Sequence, residues 1–194
     1  MTSIRRLALI APLAAVSLSG CGINSIPTAE ENAKGKWANV QADYQRRADL
    51  IPNLVATVKG FAKQEKDVLI TVTQARASAI SVTLSPGDLT DPAKVAAFQN
   101  AQNNLTLATR QLQEAYPELK SNANFMALQS QIEGTENRVN ISIKDYNEAV
   151  QAYNTTIRTF PDAIGAKIFY GSKPMVTYTA TAPNADRAPK VDFN

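Results

Sequence analysis

Two glutamates three residues apart, Glu133 and Glu136, are the side chains in this sequence best spaced for acid–base chemistry. On a helix that spacing puts both carboxylates on one face. There they read as an acid–base pair or as part of a hard-cation site. Ca²⁺ takes about six or more oxygens, more than this spacing supplies by itself. The structural alternative is pairing across helices with Arg46, Arg47 or Arg138. A second cluster, Arg46-Arg47-x-Asp49 with Asn53 close behind, suits an anionic group held at a helix N-terminus. It suits equally a capped helix with solvated or paired arginines. Arg46, Arg47, Asp49, Asn53, Glu133, Glu136, Asn137 and Arg138 thus form a polar cluster open to a binding or a structural role. Asn137, Tyr146, Asn147, Tyr153 and Asn154 lie at the spacing of one broad helix face. They read as a polar groove or as hydrogen bonds that fix register inside a bundle.

The chain has no histidine. That excludes the Ser-His-Asp triad and its Cys-His relatives. It also excludes the Glu-x-x-His pairs of di-iron bundles and zinc sites of the usual His/Cys type. The eight glycines are scattered, with no phosphate loop among them. The expectation is a protein with no catalytic residue, metal or cofactor, acting by contact.

The lone cysteine, Cys21, closes the string Leu18-Ser19-Gly20-Cys21. Arg5-Arg6 and an apolar stretch from Leu7 to Leu18 precede it, which is the layout of a secretory signal. The stretch falls short of the roughly 20 residues a membrane-spanning helix needs. Its ending resembles the lipobox of bacterial lipoproteins. That resemblance implies that residues 1–20 are removed and that Cys21 becomes the first mature residue, carrying acyl chains such as palmitate. Gly22 rather than Asp follows, which implies an outer-membrane lipoprotein facing the periplasm if the host is diderm. An uncleaved anchor, or a plain signal leaving a free thiol, would also place the remainder outside the cytoplasm. Of 194 residues, 174 would remain. That is one domain, large enough for a core without disulfides. Loss of Arg5 and Arg6 takes the formal charge from +3 to +1, so nothing electrostatic points to nucleic acid. No polybasic patch serves acidic lipids, and attachment rests on the acyl chains.

Helices must position these residues. Residues 21–28 read as a linker. From Ala29 the periodicity is helical: Ala33, Trp37, Val40 and Tyr44 mark one face, with Trp37 expected in the core. Asp49-Leu50-Ile51-Pro52 reads as an N-cap and first turn of a second helix running to about Val82. A single helix kinked at Pro52 is the alternative. Gly60 is expected to allow close packing against a neighbour. Ser85-Pro86-Gly87-Asp88 is a turn, Asp91-Pro92 starts a third helix ending before Pro117, and Ser121 or Asn122 caps a fourth that closes at Phe160-Pro161. The expectation is all-α: an antiparallel four-helix bundle with long helices over residues 29–160, with seams like those of coiled coils. Residues 161–194 form a tail, with room for one or two helical turns over Asp162 to Phe169 and an extended or disordered chain from Gly171 onward, in which Tyr170, Met175, Val176 and Tyr178 are the residues able to lie along the bundle.

Two segments then resemble the LemA family. One is Arg46-Arg47-Ala48-Asp49-Leu50-Ile51-Pro52-Asn53-Leu54-Val55 with Thr57-Val58-Lys59-Gly60-Phe61-Ala62. The other is Asn124-Phe125-Met126-Ala127-Leu128-Gln129 with Glu133-Gly134-Thr135-Glu136-Asn137-Arg138, followed by Tyr146-Asn147-Glu148-Ala149-Val150, Tyr153-Asn154 and Ile157-Arg158-Thr159-Phe160-Pro161. The resemblance covers roughly residues 30–170 in order. It implies a bacterial membrane-associated protein whose helical bundle faces away from the cytoplasm, and it implies no particular reaction. Many members start with an uncleaved transmembrane helix, where this chain has a lipobox. The resemblance also implies an envelope protein partner, with a TPM-domain membrane protein as the expected class. The two functions kept open are a non-catalytic interaction scaffold of the cell envelope and a binding module for a small anionic ligand or envelope polymer.

Overall fold

The computed structural model describes residues 24–61 and 66–179. Helix α1 spans Ser25–Phe61, α2 Lys66–Ser81, α3 Pro92–Ala115 and α4 Ala123–Thr156, and a short α5 spans Asp162–Gly165. The described residues are all-α, and the four long helices form an antiparallel bundle. Contacts such as Lys36–Asp145 at 2.9 Å and the Ser142–Asp43 hydrogen bond show α1 and α4 running in opposite directions. Arg76 reaching Ala48, and Gln102 reaching Ala79, do the same for α1–α2 and α2–α3.

The apolar stripes face inward as their period requires. Around α1's first half lie Ile26, Trp37, Val40, Tyr44, Phe98, Tyr146 and Val150; around its second half lie Ile51, Leu54, Val58, Leu105, Leu112 and Phe125. Trp37 is in the core, 5.3 Å from the Phe98 ring and 5.1 Å from that of Tyr146. Asp91 caps α3 by accepting from the Ala93 and Lys94 amides, and Asn122 caps α4 by accepting from Asn124 and Phe125, satisfying donors that a helix N-terminus leaves open.

Three expectations need correction. First, the helix begins at Ser25, inside the stretch read as linker. Pro27 is tolerated there because a first-turn residue needs no N–H, and Ile26, fully buried, packs its Cδ1 3.5 Å from where a Cβ on Gly165 would sit. Second, no new helix starts at Asp49. Its side chain accepts from Gln45 Nε2 at 2.8 Å instead of capping a backbone amide, and α1 continues through Pro52. Pro52 has no N–H for the carbonyl four residues back. That carbonyl, of Ala48, accepts from Arg76 Nε at 2.8 Å. A side chain of α2 therefore replaces the hydrogen bond that proline removes. Third, a Cβ added at Gly60 would meet nothing within 4 Å, so this glycine serves no close helix contact. The third and fourth helices fall where expected. The signal, Cys21 and residues 180–194 of the tail lie outside the described residues.

The Ala48–Arg76 substitution predicts a coupling. Arg76→Met should destabilise the protein by about 1 kcal/mol in the Pro52 background, and by much less beside Pro52→Ala, where a backbone amide takes over the carbonyl. Denaturant melts of the four proteins in this cycle measure it; equal losses in both backgrounds would show that the two residues act separately.

Candidate functional site

The bundle gathers its polar groups at one level, between the two apolar compartments. Arg47 is 4% exposed. Its guanidinium donates to Thr106 Oγ1 at 2.7 Å, to the Gln102 carbonyl at 3.1 Å and to Gln102 Oε1 at 3.0 Å. It also lies 4.9 Å from the Tyr44 ring centroid, within cation–π range. Gln102 Nε2 in turn donates to the Ala79 carbonyl at 3.0 Å, and Ser142 donates to the buried carboxylate of Asp43. These bonds tie α1 to α3, α3 to α2 and α1 to α4. Arg47 makes no ion pair with any described residue. Burial pulls its pKa down; the nearby Tyr44 and Glu136 oppose that shift.

The structure divides the polar cluster expected from sequence. Arg47 and Glu136 share a cleft of about 200 Å³ with Arg110, Asn103 and Tyr178. Arg46 is exposed and pairs with Asp43 at 3.4 Å. Asp49, Asn53, Glu133, Asn137 and Arg138 are exposed, with Glu133 accepting from Gln129 at 3.1 Å. The Glu133–Glu136 spacing therefore does not bring two carboxylates into one enclosed site. Among the described residues no three of His, Cys, Asp and Glu gather as metal ligands. Sequence reasoning missed Asp43, Arg76, Gln102, Thr106 and Ser142. For Gln102 a signal existed: it lies between Phe98 and Leu105, on the apolar stripe of α3.

On the asparagine and tyrosine face of α4, Asn147 and Asn154 line an open groove, as one of the two readings expected, but the face has a further use. It holds the chain that follows α5. The Phe160–Pro161 peptide is cis, α5 leads into a single π turn at Ala166–Tyr170, and Gly171 ends that turn at φ 56°, a left-handed conformation that glycine adopts without a Cβ clash. From there the chain runs back along α4 without helix or strand to Thr179. Asn154 Nδ2 donates to the Met175 carbonyl and its Oδ1 accepts from the Met175 amide, both at 2.8 Å. Asn147 repeats the pair on Tyr178, at 2.8 and 2.7 Å. Tyr146 Oη donates to the Val176 carbonyl at 2.9 Å, and the Val176 amide donates to the Leu89 carbonyl at 2.8 Å. The spacing has a geometric reason. Seven helical residues rise about 10.5 Å, and three extended residues span about 10 Å. Asn147 and Asn154 thus meet Tyr178 and Met175 in register. Met175 and Tyr178 are buried, as the tail reading allowed, and the Tyr178 hydroxyl is hydrogen-bonded to that of Tyr44. Asn137 takes no part in this ladder.

Beside this strap runs an open groove of about 860 Å³, lined by Asn140, Lys144, Gln151, Arg158 and Thr177 among others. Among the described residues no helix is long and apolar enough to cross a membrane.

These features define a helical-bundle protein in which Asp43, Arg47 and Gln102 join one helix to another. Residues 36–193 match the sequence model of the LemA family. The chain belongs to the LemA family. No curated protein matches the sequence.

Two outcomes follow for the strap. Asn147→Ala should speed hydrogen exchange at the Tyr178 amide, and Asn154→Ala at the Met175 amide, while both leave α4 protected, because each carboxamide satisfies two backbone groups at once; unchanged exchange in the double variant would show that the carboxamides do not hold the strap. The second concerns pH. Burial pushes the Tyr178 and Tyr44 phenols above their ordinary values, so folding favours their protonated forms. The strap's contribution is full below about pH 10 and is lost as pH rises through the folded-state values. Tyrosinate absorbance should appear together with loss of Met175 protection, and ionisation of these phenols with the strap still docked would contradict it.

Proposed function

We propose that the protein is a lipoprotein of the cell envelope that displays its bundle outside the cytoplasm as a non-catalytic scaffold for a protein partner. The observation that carries this reading is the position of Ser25: the longest helix begins four residues after Cys21. Three peptide steps separate Cys21 from Asn24, and they reach no more than about 11 Å in any conformation. Acyl chains on Cys21 would therefore hold the bundle by its end, close to the bilayer. Confinement of this kind raises the effective concentration for other membrane-bound proteins, and a TPM-domain membrane protein is the class of partner the family likeness suggests. Gly22 favours the outer membrane in a diderm host.

The polar residues argue in the same direction. Arg47, Gln102, Asn147 and Asn154 are engaged with the protein's own backbone and side chains. Glu136 shares the Arg47 cleft, and a carboxylate there opposes an anionic ligand. The scaffold reading is therefore preferred to the anion-binding one.

Cys21→Ser should move the protein from the membrane fraction to the soluble envelope fraction, or leave it with an unprocessed leader of higher mass. Crosslinking in intact cells should capture an envelope protein with wild type and lose it with the variant. Membrane association with a free thiol at Cys21 and a processed N-terminus would refute the anchor.

A further inference from the structure

Five large apolar side chains stand in solvent within eleven residues at one end of the bundle. Phe160 is 82% exposed, Phe169 68%, Ile168 68%, Ile164 52% and Tyr170 43%. The other large apolar side chains exposed among the described residues, such as Phe61, Leu107 and Ile141, are spread along the four long helices, and scattered exposure of that kind is ordinary. This end is also where the chain enters the bundle. Ser25 Oγ donates to Asp162 Oδ1 at 2.9 Å, and Ile26 packs against Gly165. The apolar cluster therefore surrounds the point from which the three residues back to Cys21 must depart.

Within the segment and its flanks the basic side chains outnumber the acidic ones. Arg158, Lys167 and Lys173 flank the cluster, and all three are exposed. The one carboxylate from Ile157 to Val176 is Asp162, half-buried and bonded to Ser25. On α1 the nearest carboxylates, Glu30 and Glu31, are both paired with Lys34. Aromatic and branched side chains fringed by lysines are the composition of a surface that lies in a membrane interface, where the rings sit at headgroup depth and the lysine stems extend toward water and phosphate.

We propose that the segment Phe160–Tyr170 is a second membrane contact, inserting its apolar side chains into the headgroup region of the bilayer. The occupant is lipid, with anionic headgroups favoured by Arg158, Lys167 and Lys173. The proposal rests on the anchoring reading for its geometry, since acylated Cys21 would hold this end against the surface. The acyl chains on Cys21 would supply attachment by themselves. The apolar segment would also fix orientation, because a flexible tether leaves a bundle free to tilt and two contacts at one end do not.

The test uses the full chain, purified from membranes and reconstituted in vesicles of phosphatidylethanolamine and phosphatidylglycerol. An environment-sensitive fluorophore is placed at Phe169→Cys and, as control, at Ile141→Cys in the middle of α4. Co-flotation with vesicles reads the anchor, and quenching by doxyl-labelled lipid reads the patch. The Phe169 label should lose about half of its emission, as for a group about 5–10 Å into the interface, while the Ile141 label keeps its own. Flotation with a water-exposed Phe169 label would overturn the patch and leave the anchor standing. A label shielded from water but untouched by doxyl lipid would assign the surface to another part of the chain or a second copy, and would also overturn the proposal. Flotation and quenching that both persist in Cys21→Ser would uphold the patch while removing the anchor. Failure to float would overturn both.

Discussion

Arg47 occupies the position on which the rest of the bundle depends. A guanidinium taken out of water loses hydration worth several kcal/mol, and here no carboxylate of the described chain pairs with it directly. The loss is offset by hydrogen bonds to Thr106 and to both oxygens of Gln102, and by the Tyr44 ring. Because Gln102 passes the connection on to Ala79 of α2, a shift of one helix by a single turn would strand a buried charge and several amide groups together. Apolar stripes alone tolerate such slips. The polar level between the two compartments selects one alignment.

The same logic operates at two other places in the fold. Proline at position 52 leaves a carbonyl open in the middle of a long helix, and α2 supplies the missing donor through Arg76. That bond ties α2 to α1 beside the proline. On α4, two asparagines two turns apart do for an extended chain what a neighbouring strand would do in a sheet: each offers one donor and one acceptor to a single residue. In all three cases a side chain completes the hydrogen bonding of backbone belonging to another element, so secondary structure and tertiary alignment form together.

This also explains which parts of the molecule could be read from sequence. The third and fourth helices were legible because their apolar periods and their caps, Asp91 and Asn122, are local. Trp37 was legible as core for the same reason. The passage through Pro52 was legible only as an alternative, because the chain announces the missing N–H but not the donor, which lies 24 residues later in Arg76. Asn147, Asn154 and Tyr146 were recognisable as a polar face, yet their partners are backbone groups of Met175, Val176 and Tyr178, and backbone groups leave no mark on composition. Glu133 and Glu136 share a helix face as their spacing requires, but α4 turns Glu133 to solvent and only Glu136 toward the Arg47 cleft. Local periodicity places residues on a face; it does not say what that face meets.

The path of the strap has a consequence for the molecule's outline. It leaves the end where α1 begins, climbs α4 and reaches Tyr44, nineteen residues into α1, or about 28 Å along the axis. Whatever follows Thr179 thus departs from the flank at roughly mid-height, not from either tip.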